Sequence, residues 1–188
     1  MAVPITSLQT LQTERLRLRQ WHAQDLPAFA ALNADPEVMR YFQATLSRAE
    51  SDAIALRCQS LIEERGWGFW AVEERSSGAF AGMVGLHTPD AALPCSPCVE
   101  VGWRLARAHW GKGYASEAAA ASLRFAFTTL GLEEVVSFTA LQNLRSQAVM
   151  QRLGMRRDEA TFQHPALPEG HWLAEHCLFR INEANMKF

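Results

Sequence analysis

Residues 110 to 117 read Trp110-Gly111-Lys112-Gly113-Tyr114-Ala115-Ser116-Glu117, two glycines and short side chains set directly ahead of an alanine-rich stretch. Glycine lets bare backbone amides converge on one point, and a helix that begins there adds the positive end of its dipole. That combination holds phosphate. Just upstream, Val99-Glu100-Val101-Gly102-Trp103-Arg104-Leu105 alternates, with Glu100, Gly102 and Arg104 on one face and Val99, Val101 and Trp103 on the other. A carboxylate beside Gly102 in a partly apolar cleft has a raised pKa and can accept a proton. The competing reading of Glu100 is a salt-bridged structural carboxylate. His164, in Phe162-Gln163-His164-Pro165 with His171 and His176 downstream, is a second candidate base, because imidazole titrates near neutrality. Its competing reading is a structural loop histidine.

These residues need a scaffold. Glu14 to Trp21 alternates polar and apolar and predicts a half-buried strand. Asp25 is expected to cap a helix through Asn33 that stops at Asp35-Pro36. Ser47-Arg48-Ala49-Glu50 is a capping box opening a longer helix to Arg65-Gly66. Strands are expected over 67–73 and 80–87, joined by the hairpin loop Ser76-Ser77-Gly78. Residues 88–98 hold Pro89, Pro94 and Pro97 and read as an irregular loop. After the glycine loop a helix is expected from about Ala115 to Leu130, with Ala118 to Ala121 permitting close approach to a sheet. A strand over 135–141, a helix over 143–153 and two final strands around 165–170 complete an α/β (α+β) order with a mixed sheet, read as a single domain over 1–188. Met39, Tyr41, Phe42, Trp67, Phe69 and Trp70 are candidates to wall a substrate pocket, against core packing as the alternative for each.

The chain has 188 residues, 48% hydrophobic and 20% charged, with net charge −2. That balance argues against a nucleic-acid partner, which favours a basic face. No run of roughly 18 apolar residues predicts a membrane span. Met1-Ala2-Val3-Pro4-Ile5 lacks the pattern of a secretory signal, and a cytoplasmic location is expected. Four cysteines are too few for a disulfide scaffold. Cys95-Ser96-Pro97-Cys98 raises zinc or redox chemistry, but no second pair or histidine stands at ligand spacing, and the pair does not open a helix after a strand. No metal is expected.

Three phosphate ligands compete for the glycine loop. A nucleotide P-loop requires Gly-Lys-Ser/Thr, and here Gly113 follows Lys112. A dinucleotide fingerprint requires a third glycine where Ser116 stands, directly after the first strand of a βαβ unit. The third reading is the one adopted. Trp110-Gly111-Lys112-Gly113-Tyr114-Ala115 resembles the Q/R-x-x-G-x-G/A signature of the GCN5-related N-acetyltransferases (the GNAT family), with Trp110 departing at the first position. Val99 to Leu105 resembles the strand before that loop, and Asn143-Leu144-Arg145-Ser146 with Leu153-Gly154-Met155 resembles the family's N-x-x-S…G-F segment. Thr13 to Arg19 and Asp35 to Tyr41 are similar to the branch that includes the ribosomal-protein N-terminal acetyltransferases.

The resemblance implies direct transfer of an acetyl group from acetyl-CoA to an amine, on a GNAT-type, mostly antiparallel sheet flanked by helices. It implies that the amides of Gly111, Gly113, Ala115 and Ser116 hold the pyrophosphate, with Trp110, Lys112 and Tyr114 in the same loop. Trp103, Arg104 and Leu105 would run beside the pantetheine arm. Asn143 would hydrogen-bond it, with a helix N-cap as an alternative compatible with that role, and Ser146 would protonate the departing thiolate, against first-turn helix capping. Tyr114 is the alternative acid, against packing on the sheet. Met39, Tyr41, Phe42 and Trp70 are assigned to the acceptor side. The acceptor stays open between a protein N-terminus and a small-molecule amine, and the assembly between monomer and homodimer. The rival readings are a non-catalytic CoA-binding module of the same fold and a nicotinamide-dependent oxidoreductase.

Overall fold

Strands β1 (Leu11–Gln12), β2 (Leu16–Arg19), β3 (Phe69–Glu74), β4 (Phe80–His87), β5 (Glu100–Leu105), β6 (Val135–Ala140), β7 (Arg156–Gln163) and β8 (Glu175–Ile181) share one sheet in the computed structural model. Residues 8–90 and 92–187 are described, so Met1 to Ile5 lies outside them. The strand order is β1-β2-β3-β4-β5-β6-β8-β7. Every pairing is antiparallel except β5 with β6. This is the mixed, mostly antiparallel sheet expected. The two-residue β1, paired to Leu18 and Arg17, is too short to show a period and was not anticipated.

Helices α1 (Leu26–Ala34) and α2 (Arg48–Arg65) cover one face, where Cys58 meets Met83 and Asn33 meets Arg104. Helices α3 (Tyr114–Thr128) and α4 (Leu144–Leu153) lie on the other, where Phe125 meets Trp70 edge-on. The start of α2 is the capping box expected: the Glu50 amide donates to Ser47 Oγ, and Glu50 Oε2 accepts the Ser47 amide. Helix α3 can lie flat on the sheet because Ala118, Ala119, Ala120 and Ala121 all fall on buried positions and carry only methyl groups.

The Asp25 side chain, expected to cap α1, makes no cap hydrogen bond to it. A short 3-10 turn, Ala23–Asp25, precedes the helix, and the Asp25 carboxylate is buried against Arg19 at 2.7 and 2.9 Å. Arg19 also reaches Glu73 at 2.8 Å. A guanidinium buried in the sheet face requires a carboxylate more strongly than a helix end does, because water is there to satisfy the helix end.

Candidate active site

The site is built where β5 leaves the sheet. A 3-10 turn, Arg107–His109, and the loop Trp110–Gly113 lead from β5 into α3. Trp110 folds back, its indole Nε1 donating to the Leu105 carbonyl at 2.8 Å, and Arg145 stacks on its ring. Gly113 takes φ +80°, a left-handed conformation that suits glycine, and turns the chain into the helix. The amides of the first turn of α3 have no carbonyl behind them. Among the described residues no acceptor is found for the amides of 111–116, and Ser116 Oγ is buried without a hydrogen-bond partner. Donors thus converge at the positive end of a helix, the arrangement an anion requires.

The other loop side chains point elsewhere. Lys112 leans toward Glu74, 3.9 Å away, and over the Tyr114 ring. Tyr114 is buried and donates its hydroxyl to Glu74, a bond that raises its pKa. The packing alternative given for Tyr114 is therefore the one the structure shows, and the hydroxyl is tied down as a proton donor. Arg15 closes the loop from outside, donating to the Lys112 carbonyl and to Glu117.

A cleft opens beside this loop. β5 and β6 meet at Glu100 and Val136 alone, with the Val136 amide donating to the Val99 carbonyl. Beyond that point the two strands diverge, while β4 follows β5 to Leu105 and β8 follows β6 to Ala140. Peptide groups alternate along a strand. Val99 O faces β6, and Ala106 N donates to Ala81 beside β4. By alternation the peptides of Trp103 and Leu105 face the opening, and that of Arg104 faces β4. This corrects the grouping of Arg104 with the backbone beside the pantetheine arm.

Helix α4 closes the far side of the cleft. Asn143 is its N-cap: Oδ1 accepts the Ser146 amide, while Nδ2 donates to Thr139 Oγ1 and to Ser146 Oγ, each at 3.0 Å. All three polar positions of the Asn143 side chain are thus engaged within the chain. Because Ser146 Oγ accepts from Asn143, its own proton is left to donate outward, at the positive end of α4.

Glu100 stands at the closed end of the cleft, partly exposed, its carboxylate making no hydrogen bond or ion pair among the described residues. Burial pushes its carboxyl up to about 8. Directly paired residues share a face, so Glu100 lies with His87 and Val136 on the α1–α2 side. Arg104 is on the same face. Its guanidinium donates to Asn33 Oδ1 at 2.6 Å and stacks over Phe42, and burial pushes its pKa down to about 10.

The opposite wall of this chamber is aromatic. His164, His176, Phe138 and Phe162 cluster with ring centroids 4.8 to 6.3 Å apart. His164 Nδ1 accepts the Ala166 amide, which leaves Nε2 to carry the proton of the neutral ring. Burial lowers the pKa of His164 and takes that of His176 down to about 4. Above, the α1–α2 connection and the β7–β8 loop meet where Gln43 Nε2 donates to the Ala166 carbonyl at 2.7 Å.

The aromatic residues assigned to the acceptor side separate. Phe42 is 41% exposed beneath Arg104, and Tyr41 is half-buried beside Arg40. Met39 is buried in the turn between them and α1, its amide bonded to Asp35. Trp70 is a correction: it is 0% exposed on the α3 face, packed on Phe125, with its indole donating to Gln9. Its place on β3 alternates with that of Phe69, whose ring stacks on His87 and abuts Gly102. Phe138, Phe162 and Gln43 were missed. The His164…His176 spacing hinted at the cluster, whereas the Gln43 bridge joins loops more than a hundred residues apart and leaves no local signal.

Known proteins share this architecture. A family model described as an acetyltransferase (GNAT) domain matches residues 15–156. The FsC-acetyl coenzyme A-N(2)-transacetylase of Aspergillus fumigatus is 32% identical over 180 residues, covering 88% of this chain and 75% of that protein. An acetyltransferase structure from Agrobacterium tumefaciens superposes with TM-score 0.75 at 29% identity, covering 94% of this chain and 96% of the other. The fold also matches a ribosomal-protein alpha-N-acetyltransferase, RimL, solved with coenzyme A, at TM-score 0.72 and 16% identity, covering 93% and 98% of the two chains. A cradle of free amides at the mouth of a split sheet, and a family match spanning most of the same elements, lead to one assignment: the chain belongs to the GNAT acetyltransferase family.

Proposed function

We propose that this protein is an N-acetyltransferase that binds acetyl-CoA in the β5–β6 cleft and passes its acetyl group directly to a primary amine. The observation that carries the reading is the divergence of β5 from β6 beside the unpaired amides at the start of α3. The amides of Gly111, Gly113, Ala115 and Ser116, with Ser116 Oγ, would take the pyrophosphate. The peptides of Trp103 and Leu105 would flank the pantetheine arm, and an amide among them would polarise the thioester carbonyl.

The amine enters from the α1–α2 face and must lose a proton before attack. Glu100 is the base: unpaired, at the closed end of the cleft, with a proton affinity that suits an ammonium near neutral pH. His164 is the second candidate, on the facing wall. Attack forms the new C–N bond, and the C–S bond breaks as the tetrahedral intermediate collapses. Ser146 then gives its proton to the departing thiolate while Asn143 holds its oxygen in place, and the hydroxyl regains a proton through solvent as the new amide nitrogen sheds its second one. A protein N-terminus and a small amine both fit this chemistry. A cytoplasmic location belongs to the same reading, resting on four cysteines being too few for a disulfide scaffold.

Isothermal titration tests the reading. Acetyl-CoA is expected to bind the parent chain, and Gly113→Glu to lose that binding while keeping the parent circular dichroism. A parent chain with no affinity at millimolar acetyl-CoA would overturn it.

A further inference from the structure

The proposed acetyl transfer assigns no step to the Cys-x-x-Cys pair. Cys95 and Cys98 lie in the connection between β4 and β5, both partly exposed, with their Sγ atoms 3.3 Å apart. The turn that brings them together is held from within, the Ser96 amide donating to the Leu93 carbonyl and the Leu93 amide to Ser96 Oγ. No third donor completes a metal site around them among the described residues. A disulfide bond needs about 2.05 Å, so the two sulfurs have only about 1.3 Å left to close. Cys58 and Cys177, by contrast, are buried on separate elements.

We propose that Cys95 and Cys98 are a modification site, closing to an intramolecular disulfide by exchange with a small-molecule disulfide. The Cys95 thiolate attacks one sulfur of that reagent, forming a mixed disulfide and expelling one thiolate. Cys98 then releases its proton to solvent and attacks Cys95 Sγ, expelling the second thiolate. Two electrons pass from the protein to the reagent, which leaves as two thiols. Cys95 starts the sequence because burial, and then the hydrogen bond that the Cys98 thiol donates to Cys95 Sγ, push Cys98 up to about 12 and keep it protonated. Once Cys95 carries the mixed disulfide, its share of that push is gone. The ring that results ends next to Val99, whose carbonyl takes the Val136 amide at the closed end of the cleft.

The test uses the full chain, oxidised and reduced glutathione at varied ratios, and intact mass. The parent is expected to lose the mass of two hydrogens with no glutathione retained, and peptide mapping to place the bond between Cys95 and Cys98. Cys58 and Cys177 should alkylate as free thiols after unfolding. Cys98→Ser should hold a stable glutathione adduct at Cys95, while Cys95→Ser reacts more slowly. A parent chain that ends with glutathione on both residues, or keeps four free thiols at every ratio, would overturn the proposal.

Discussion

Under the proposed function, the cofactor side and the acceptor side of the cleft would recognise by different means. On the proposed cofactor side the groups placed to meet a ligand are mostly backbone, amides at the start of α3 and peptides at the open edge of β5, joined by the hydroxyls of Ser116 and Ser146. Side chains there serve to fix that backbone, as Trp110, Arg15 and Tyr114 do. On the acceptor side the lining is all side chain, from β4, β5, β6, β7, β8 and two long loops. Backbone recognition constrains glycine positions and tolerates change elsewhere. Side-chain recognition can be re-specified one residue at a time, so under the proposed function one half of the cleft would carry the acetyl-CoA chemistry and the other would set the amine.

The comparison breaks first at Gly113. Glutamate there meets φ +80° and brings a negative charge to the anion cradle, and acetyl-CoA affinity should fall at least about 100-fold, or about 2.7 kcal/mol. The left-handed backbone should also cost the variant about 1–2 kcal/mol in urea unfolding, short of unfolding it in native buffer. Trp70 tests the boundary between pocket and core. Trp70→Ala should cost about 3–5 kcal/mol in that experiment, because it removes a fully buried ring from beneath α3. Acceptor KM at a temperature where the variant is folded should not move.

Glu100→Gln should lower kcat/KM about 100-fold at neutral pH, the usual scale for a general base. In the parent, activity should rise with pH through about 8 as the carboxyl loses its proton, and the variant should lack that limb. Stability carries the same signature. The folded carboxyl holds its proton more tightly than the unfolded one, so its contribution is full below the ordinary carboxylate range and lost as pH rises through about 8. Glu100→Gln should therefore melt higher than the parent in alkaline buffer and match it in acid. Ser146→Ala should lower kcat about 10-fold with acetyl-CoA KM unchanged, since it removes one donor from the leaving sulfur. Phe42→Ala should have the smallest effect, under about 1 kcal/mol of stability, with a few-fold change in acceptor KM alone.

The same contrast explains what could be read before the structure. The glycine loop was legible because backbone chemistry writes itself into local residue types: only certain spacings turn a strand into a helix with its amides free. Glu100 was legible as a polar residue alternating against Val101. Asp25 was misread because its local signal, a carboxylate before a helix, was outweighed by Arg19, a partner supplied by the sheet. Trp70 and Phe69 are adjacent in sequence and face opposite sides, and only the register with β4 and the position of α3 decide which faces the cleft. The meeting of Gln43 with Ala166, and of Phe138 with His164, depends on how distant strands close the sheet. Asn143 is the helix N-cap given as its alternative reading, with its side chain also bonded to Thr139 and Ser146.

Turnover is the most direct test of acetyl transfer. The purified chain is given acetyl-CoA and a panel of primary amines, including N-terminal peptides, and both products are weighed by mass spectrometry. The account predicts that at least one amine gains an acetyl group, with one CoA released for each, and that Glu100→Gln slows both together. Tight acetyl-CoA binding with no CoA released by any amine would contradict it, and would leave a binding domain that kept the cradle without the chemistry.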